Sequence, residues 1–360
     1  MEAIILVGGK GTRLRPLTID TPKPMLTIGG VSVIEHQICK LRDEGATHIV
    51  LATSFKADIF KKAFGDGTRL GLKLSYAYES EPLGTGGAIR NAANFLSKEN
   101  EDAPVLIFNG DILSNIHIRE YIDFFNSKNA DIGLHLTTVD NPRAFGLVPT
   151  DKEGRVLAFT EKPERDEDII TNQINAGCYI FKKSLLFEIP EDRVVSVERD
   201  TFPAALKNGK GMYGFLENSY WLDLGTPMSF VKGSVDFVRG EIRSSAYPHL
   251  GSEKIVKDSV VLADTSIVKG GSFVDEQVVL RPHTLVDGSV IMRGAQIGEG
   301  SKIINSIIGS KAVIGPGSVI DGAIIGDRAW IGSQNELRSG LRVWNDKTIA
   351  DKSVRFSADA

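Results

Sequence analysis

The sequence predicts an α/β domain built on a mostly parallel sheet, followed by a C-terminal parallel β-helix. Three observations predict it. Residues 1–240 alternate short apolar runs with stretches of helical spacing, the pattern of a parallel sheet covered on both faces. Beyond about residue 241 the helical spacing stops. In its place Ile-Gly pairs recur at 297/298, 314/315 and 331/332, seventeen residues apart, with Ile303, Ile308, Ile320 and Ile325 between them. Hexapeptide steps of this kind mark coils of three short flat strands, each turning one apolar residue inward.

Taken in order, residues 3–7 read as a buried strand, and Val33, Ile34, Ile38 and Leu41 follow at helical spacing, with Gly45 placed to stop that helix. Residues 48–53 read as a strand, 57–64 as a helix, 72–78 as an alternating strand, 87–96 as a helix and 105–108 as another buried strand. Ligands of such sheets sit beyond the carboxyl ends of the strands, so the interesting residues are expected just after them. Residues 244–249 have linker composition. Leu285, Val286 and Ile291 extend the ladder upstream, and stacked coils stabilise one another because one coil alone cannot bury its face. The expected division is a catalytic domain at 1–240, a linker at 241–252, the β-helix at 253–345 and a tail at 346–360.

Composition narrows the function. The 360 residues suit two domains with real cores. Lys and Arg number 42 against 46 Asp and Glu, a net charge of −4, so no uniformly basic surface is available for nucleic acid. The apolar run at 3–7 is far too short for a signal peptide core or a membrane span. Two cysteines, Cys39 and Cys178, make neither a disulfide framework nor a zinc site. These features point to a cytoplasmic protein.

The first strand runs into Gly8-Gly9-Lys10-Gly11-Thr12-Arg13-Leu14-Arg15-Pro16. Glycines there let backbone N–H groups turn around phosphate oxygens. The stretch lacks the Gly-Lys-Ser/Thr ending of a Walker A loop and does not match the dinucleotide fingerprint. Lys10, Arg13, Arg15 and then Lys23 are more cations than a simple turn needs, and they suit a polyphosphate.

Residues 6–18 with Pro22-Lys23-Pro24-Met25 resemble the signature of sugar-1-phosphate nucleotidylyltransferases. The resemblance continues at residues 79–87, Asn109-Gly110-Asp111, Glu161-Lys162-Pro163, Asn175-Ala176-Gly177 and residues 221–227. It covers essentially the whole chain, and among that family it is strongest to the two-domain bacterial guanylyltransferases of mannose 1-phosphate.

The resemblance implies a Rossmann-like catalytic domain, a left-handed β-helix and one reaction. GTP and mannose 1-phosphate would give GDP-mannose and pyrophosphate, the sugar phosphate attacking the α-phosphorus in line. Such a transfer needs no enzyme nucleophile, so catalysis is positioning and charge neutralisation. Arg13, Lys23 and Asp111 are the implied catalytic residues. Leu6, Gly8, Gly9, Gly11, Thr12, Arg13, Glu79, Pro82, Gly84 and Thr85 are implied to hold the nucleotide. Gly110, Gly146, Glu161, Lys162, Asn175 and Gly177 are implied to hold the sugar phosphate. Asp111 and Asp223 match the family's metal-binding aspartates, and Mg²⁺ suits one or two carboxylates with phosphate oxygens and water. Guanine offers adjacent N1–H and N2–H donors that one ionised carboxylate accepts together, which makes Glu79 its reader.

Other readings stay open at this point. Heptose 1-phosphate guanylyltransferases share the stretch at 81–88. A silent sugar-nucleotide-binding regulatory subunit would be expected to lose part of the set Arg13, Lys23, Asp111 and Asp223, all of which are present. Hexapeptide acyltransferases need a histidine base, and the C-terminal half has only His249 and His283. An assembly role, a homo-oligomer formed through the β-helix, is the expectation for that half.

Overall fold

The computed structural model describes every residue except Phe55 and residues 356–360, so the end of the expected tail lies outside the described residues. Two compact units form. One holds Met1–Gly9 and Ile34–Trp221, the other Lys10–Val33 and Leu222–Ala360. The division cuts the chain twice, after Gly9 and after Trp221, whereas the linear reading placed one boundary near 240. The reason is visible in the second unit, where the segment 10–33 and the helix Pro227–Val238 pack with the coils that follow them. Gly29, at a left-handed φ of 62°, lies so close to Phe237 that a Cβ would come within 2.2 Å of its ring. Gly29 and Gly30, both with positive φ, turn a hairpin between Thr27–Ile28 and Val31–Ser32, as a tight two-residue turn requires.

In the first unit the strands are β1 (Glu2–Leu6), β2 (His48–Thr53), β3 (Lys73–Tyr78), β4 (Pro104–Asn109), β5 (Ile132–Thr138), β6 (Gly146–Leu147), β7 (Thr160–Glu161), β8 (Gln173–Lys182) and β9 (Met212–Leu216). They form one sheet in the order β7-β6-β8-β4-β1-β2-β3, with β5 pairing β8 and β9 pairing β5. From β4 through β1 and β2 to β3 every pairing is parallel, as expected. The parallel order then stops at β8, which runs antiparallel to β4, β5 and β6. Ala3, Ile4 and Ile5 are fully buried, because β1 is central and covered on both faces.

The helices connecting these strands are α1 (Val33–Asp43), α2 (Ala57–Phe64) and α3 (Gly84–Ala93). Gly45 stops α1 as its position suggested. It takes φ 95°, its N–H donates to Arg42 and the Ala46 N–H donates to Leu41, which satisfies two carbonyls at the helix end. Helix α3 begins three residues before the expected 87, since Gly84 adopts a left-handed φ of 74° and starts the first turn.

At the amino ends of β1 and β2 lies a buried polar knot. Lys183, 5% exposed, donates to the Glu2 carboxylate at 3.0 Å and to the carbonyls of Ser97 and Glu99. His48 bonds Glu2 at 2.9 Å. Burial pushes the Glu2 carboxyl up, but the Ser97 N–H, His48 and Lys183 outweigh it and hold the pKa near 2. Every partner is satisfied, so this end of the sheet is a structural clamp.

The second unit carries three all-parallel sheets, of six, six and five strands, running from Lys254–Val256 to Thr348–Ile349. The expected ladder lines the interior: Ile291, Ile297, Ile303, Ile308, Ile314, Ile320, Ile325 and Ile331 are all buried. The last strand, Thr348–Ile349, pairs with Trp330 and Ile331 and carries the coil into the segment read as tail. Residues 241–252 do not hang free. Tyr247 and His249 pack at tilted angles against Phe237, and the Ser252 N–H donates to the Val238 carbonyl. An aromatic pair in a polar run thus folds back onto the helix it follows.

Candidate active site

Nearly all the expected residues of the first unit sit beyond the carboxyl ends of β1, β3 and β4 or on β8 and the two strands β6 and β7 added beside it. After β1, Gly8 and Gly9 are exposed, and Gly9 takes φ 99° with open space where a Cβ would lie. Gly110 follows β4, its N–H donating to Leu6 at 2.9 Å. A Cβ there would stand 2.6 Å from the Leu6 carbonyl, so only glycine lets β1 and the Asp111 turn approach.

Glu79 follows β3 and is buried, 8% exposed. Its carboxylate accepts the Leu83 N–H at 3.3 Å. Burial pushes the carboxyl above its ordinary range, and that one N–H opposes the push. A buried carboxylate with spare acceptor capacity favours a ligand that brings donors.

Pro82 is exposed, and Gly84 lies against the backbone of Val195, where a Cβ would come within 2.5 Å of the Val195 carbonyl. That carbonyl accepts the Gly86 N–H at 2.8 Å, and the Val195 N–H donates to Leu83 at 2.9 Å. Thr85 donates its hydroxyl to Glu198 at 2.7 Å and accepts the Val197 N–H at 2.9 Å. Glu198 lies in a π-helical turn, Val197–Thr201, and was not picked out from the sequence. Nothing in its neighbours marks it, because its partner lies more than a hundred residues away.

On the other side of the sheet Gly146 faces Glu161 across the β6–β7 pair. A Cβ on Gly146 would lie 2.9 Å from the Glu161 carboxylate. Lys162 holds a left-handed φ of 48°, its N–H donates to Phe145 and its ammonium lies 3.4 Å from Glu161. Glu161, Lys162, Arg165, Glu198 and Arg199 line one cavity of about 560 Å³. Glu198 therefore touches Thr85 and also borders the cavity of Glu161 and Lys162.

Asn175 borders a register shift of β8 against β5 that runs from Asn175 to Tyr179, and Gly177 lies inside it, where the ladder is interrupted. The Asn175 side chain accepts the Gly177 N–H at 3.0 Å and donates to the Tyr179 hydroxyl at 2.9 Å, and the Trp221 indole donates to the Ala176 carbonyl at 2.8 Å. A more apolar cavity of about 350 Å³, lined in part by Ile132, Phe181, Ile189 and Val195, contains none of the expected site residues.

The second unit holds Gly11, Thr12, Arg13, Lys23 and Asp223. Gly11, at φ 56°, starts a 3₁₀ turn over Thr12–Leu14, and Thr18 donates its hydroxyl to the Gly11 carbonyl at 2.7 Å. Thr12 and Arg13 are exposed. Lys23 lies in a second 3₁₀ turn, Lys23–Met25, with its ammonium 3.9 Å from the Asp223 carboxylate. Gly225 crowds Asp223, a Cβ there falling 2.8 Å from its carboxylate oxygen. Among the described residues no group of three or more His, Cys, Asp or Glu is gathered to cage a metal. Asp111 and Asp223 are hard oxygen donors of the kind that bind Mg²⁺ with substrate phosphates and water. His249 packs against Phe237 at a tilt and meets Tyr247 edge-on, and His283 occupies a coil corner at φ 60°, so the structure gives both histidines packing or turn positions. Among the described residues no helix is long and apolar enough to cross a membrane.

Residues 2–239 match the nucleotidyl transferase family, and residues 250–357 match the GMPPB C-terminal domain. The chain is 45% identical over 360 residues to a mannose-1-phosphate guanylyltransferase of Mycobacterium tuberculosis, covering 100% of this chain and 98% of that protein. It is 32% identical over 317 residues to a probable mannose-1-phosphate guanylyltransferase of Oryza sativa, covering 86% of each. Among solved structures, HddC from Yersinia pseudotuberculosis complexed with GMP-PN is 30% identical, with a TM-score of 0.55, over 66% of this chain and 99% of that one. The chain belongs to the nucleotidyl transferase family, among its mannose-1-phosphate guanylyltransferases.

Proposed function

We propose that the protein transfers a guanylyl group from GTP to mannose 1-phosphate, releasing pyrophosphate and forming GDP-mannose. The observation that carries this reading is the full-length likeness to a mannose-1-phosphate guanylyltransferase, joined to a buried carboxylate, Glu79, placed just beyond a sheet strand. Glu79 accepts guanine N1–H and N2–H. Leu6, Gly8, Gly9, Gly11, Thr12, Pro82, Gly84 and Thr85 are the further residues assigned to the nucleotide.

The reaction is an in-line displacement in which the mannose phosphate oxygen attacks the α-phosphorus and pyrophosphate leaves. Arg13 neutralises charge on the leaving pyrophosphate, and Lys23 meets the α-phosphate. Glu161 accepts from sugar hydroxyls while Lys162 provides a point charge for the sugar phosphate. Gly110 and Gly146 keep side chains out of that region, and Asn175 and Gly177 present bulged backbone to it. Asp111 and Asp223 hold Mg²⁺, which supplies positive charge to the phosphate oxygens. The flat coils of the β-helix pair subunits into a homo-oligomer, and the protein acts in the cytoplasm.

The test is pyrophosphate release from each of five nucleoside triphosphates with mannose 1-phosphate and Mg²⁺. Release confined to GTP and abolished by EDTA is expected. Release only with heptose 1-phosphate would move the sugar assignment, and binding of GDP-mannose without any turnover would replace the enzyme with a regulatory subunit. Glu79→Gln is expected to lose the preference for GTP, and unchanged selectivity in a nucleotide competition would remove Glu79 as the base reader.

A further inference from the structure

The first of the three β-helix sheets breaks its own repeat once. Along its strands the interior row is Val274, Ile291, Ile308, Ile325 and Val343. The neighbouring residue on each strand points the other way, and that outward row reads Phe273, Val290, Ile307, Ile324 and then Arg342. Outward rows of a solvated coil are polar, yet the first four of these are apolar and at most 2% exposed. The same segment of the chain meets both ends of the row. Gly30 lies against Phe273, where a Cβ would touch the ring at 3.2 Å. At the other end the Arg342 guanidinium donates to the carbonyls of Arg13 and Arg15, at 2.8 and 3.1 Å. Nearby coil residues grip the segment further along, Asn345 donating to the Asp20 carboxylate at 3.1 Å and Arg328 standing 3.6 Å from it.

We propose that Arg342 is a positioning residue for the reaction. The outward face of this sheet is the bed on which the signature segment 10–33 lies, and Arg342 sets the backbone that carries the Arg13 side chain. The chemistry fits that role. Carbonyls left by a tight 3₁₀ turn need donors, and one guanidinium nitrogen shared by two of them fixes their spacing. A residue that breaks the local rule of a repeat without a packing gain is where a functional constraint is expected. Arg342 acts through Arg13 and is not itself a group that meets substrate.

The inference rests on the reading of Arg13 as the group that meets the leaving pyrophosphate, and the experiment separates the two. Full-length Arg342→Ala and Arg342→Lys are compared with the unmodified protein for pyrophosphate release and for hydrogen exchange of the amides at 11–18. Arg342→Ala is expected to lower kcat about 10- to 100-fold, since misplacing a catalytic group by about 1 Å can cost that much. The KM for mannose 1-phosphate is expected to stay unchanged, exchange at 11–18 to rise, and Arg342→Lys to recover part of kcat. Arg338→Ala, on another sheet and paired to Asp321, controls for loss of a surface cation and is expected to leave the kinetics unchanged. Wild-type kinetics in Arg342→Ala, or unchanged exchange at 11–18, would overturn the positioning role. If the unmodified protein releases no pyrophosphate from any triphosphate, the functional reading fails, and the exchange of Arg342→Ala still decides whether Arg342 holds the segment.

Discussion

The nucleotide-binding sheet and the β-helix bury polar groups in opposite ways. In the β-helix the buried polar residues repeat. Ser272, Ser289 and Ser306 are each fully buried, and each hydroxyl accepts a backbone N–H from the next coil, from Ser289, Ser306 and Ala323 in turn. Ser301, Ser318 and Asn335 form a second ladder of the same kind, closed by the Val354 N–H. One device, stepped along the coil axis, serves six rungs. The second ladder starts only after Thr284, which lies one coil before Ser301 and whose buried hydroxyl has no hydrogen-bond partner among the described residues. Around the sheet polar groups occur once each and find partners far away, as the buried Lys183 does with Glu2 and the half-buried Thr85 with Glu198. His135 is buried on β5, and among the described residues neither ring nitrogen has a hydrogen-bond partner. A repeat spreads its stability evenly and leaves its chemistry blank. A single-copy sheet concentrates both cost and function at particular residues.

That contrast predicts where substitutions should hurt. The largest effect is expected at the site, without loss of fold. Lys23→Ala and Asp223→Asn should each reduce turnover by roughly 10²–10³-fold, the usual loss when a charge-stabilising group is removed. Thermal melting should move little, and steady-state kinetics beside a melting curve reads both. In the β-helix the order reverses. Ile308→Ala opens a cavity in the interior row and is expected to cost about 2–5 kcal/mol of stability, read by denaturant unfolding of the coil. If that loss came out below about 1 kcal/mol, the coils would be repacking around the gap and the even ladder would be the wrong description.

His135 sharpens the comparison through pH. Burial lowers its pKa from 6.5 to about 4, with the more distant Glu217 carboxylate opposing it. The folded chain therefore keeps the ring neutral, while the unfolded chain takes up a proton near the ordinary histidine value. Stability is full above pH 6.5 and is lost as pH falls from there toward 4, by roughly 3 kcal/mol for a shift of that size. His135→Leu should flatten that slope, and an unchanged slope in urea melts between pH 7 and 4 would move the acid sensitivity elsewhere.

The smallest effect is expected at one rung. Ser306→Ala leaves the buried Ala323 N–H without its acceptor and should cost about 1–3 kcal/mol, visible as faster exchange at that amide.

Much of this was legible in the chain because periodicity is a local property. The interior isoleucines announce themselves every five or six residues, and β1, β2, α1 and α2 stand within a residue or two of where apolar spacing placed them. Gly45 was readable for the same reason, since a helix stop needs only its own neighbours. The candidate site was legible as a list. Glycines and cations crowd the stretch from Gly8 to Arg15, and carboxylates follow strand ends at Glu79 and Asp111. The sequence could not show which residues meet. Glu198 reaches Thr85 across more than a hundred residues, and Arg342 reaches Arg13 across more than three hundred. The antiparallel course of β8 and the packing of 10–33 with the coils were hidden for the same reason.

The sequence by itself determined the two architectures, the end of the sheet beyond which the glycines, cations and carboxylates fall and the residue types available there, because hydrophobic period, turn chemistry and charge act over a few residues. Only the tertiary structure decided that Glu79 is buried with spare acceptor capacity, that Thr85 and the Glu161 cavity share Glu198, and that Arg342 holds the carbonyls beside Arg13. Those are distances between groups remote in the chain, and they exist only once burial and backbone pairing have closed the loops between them.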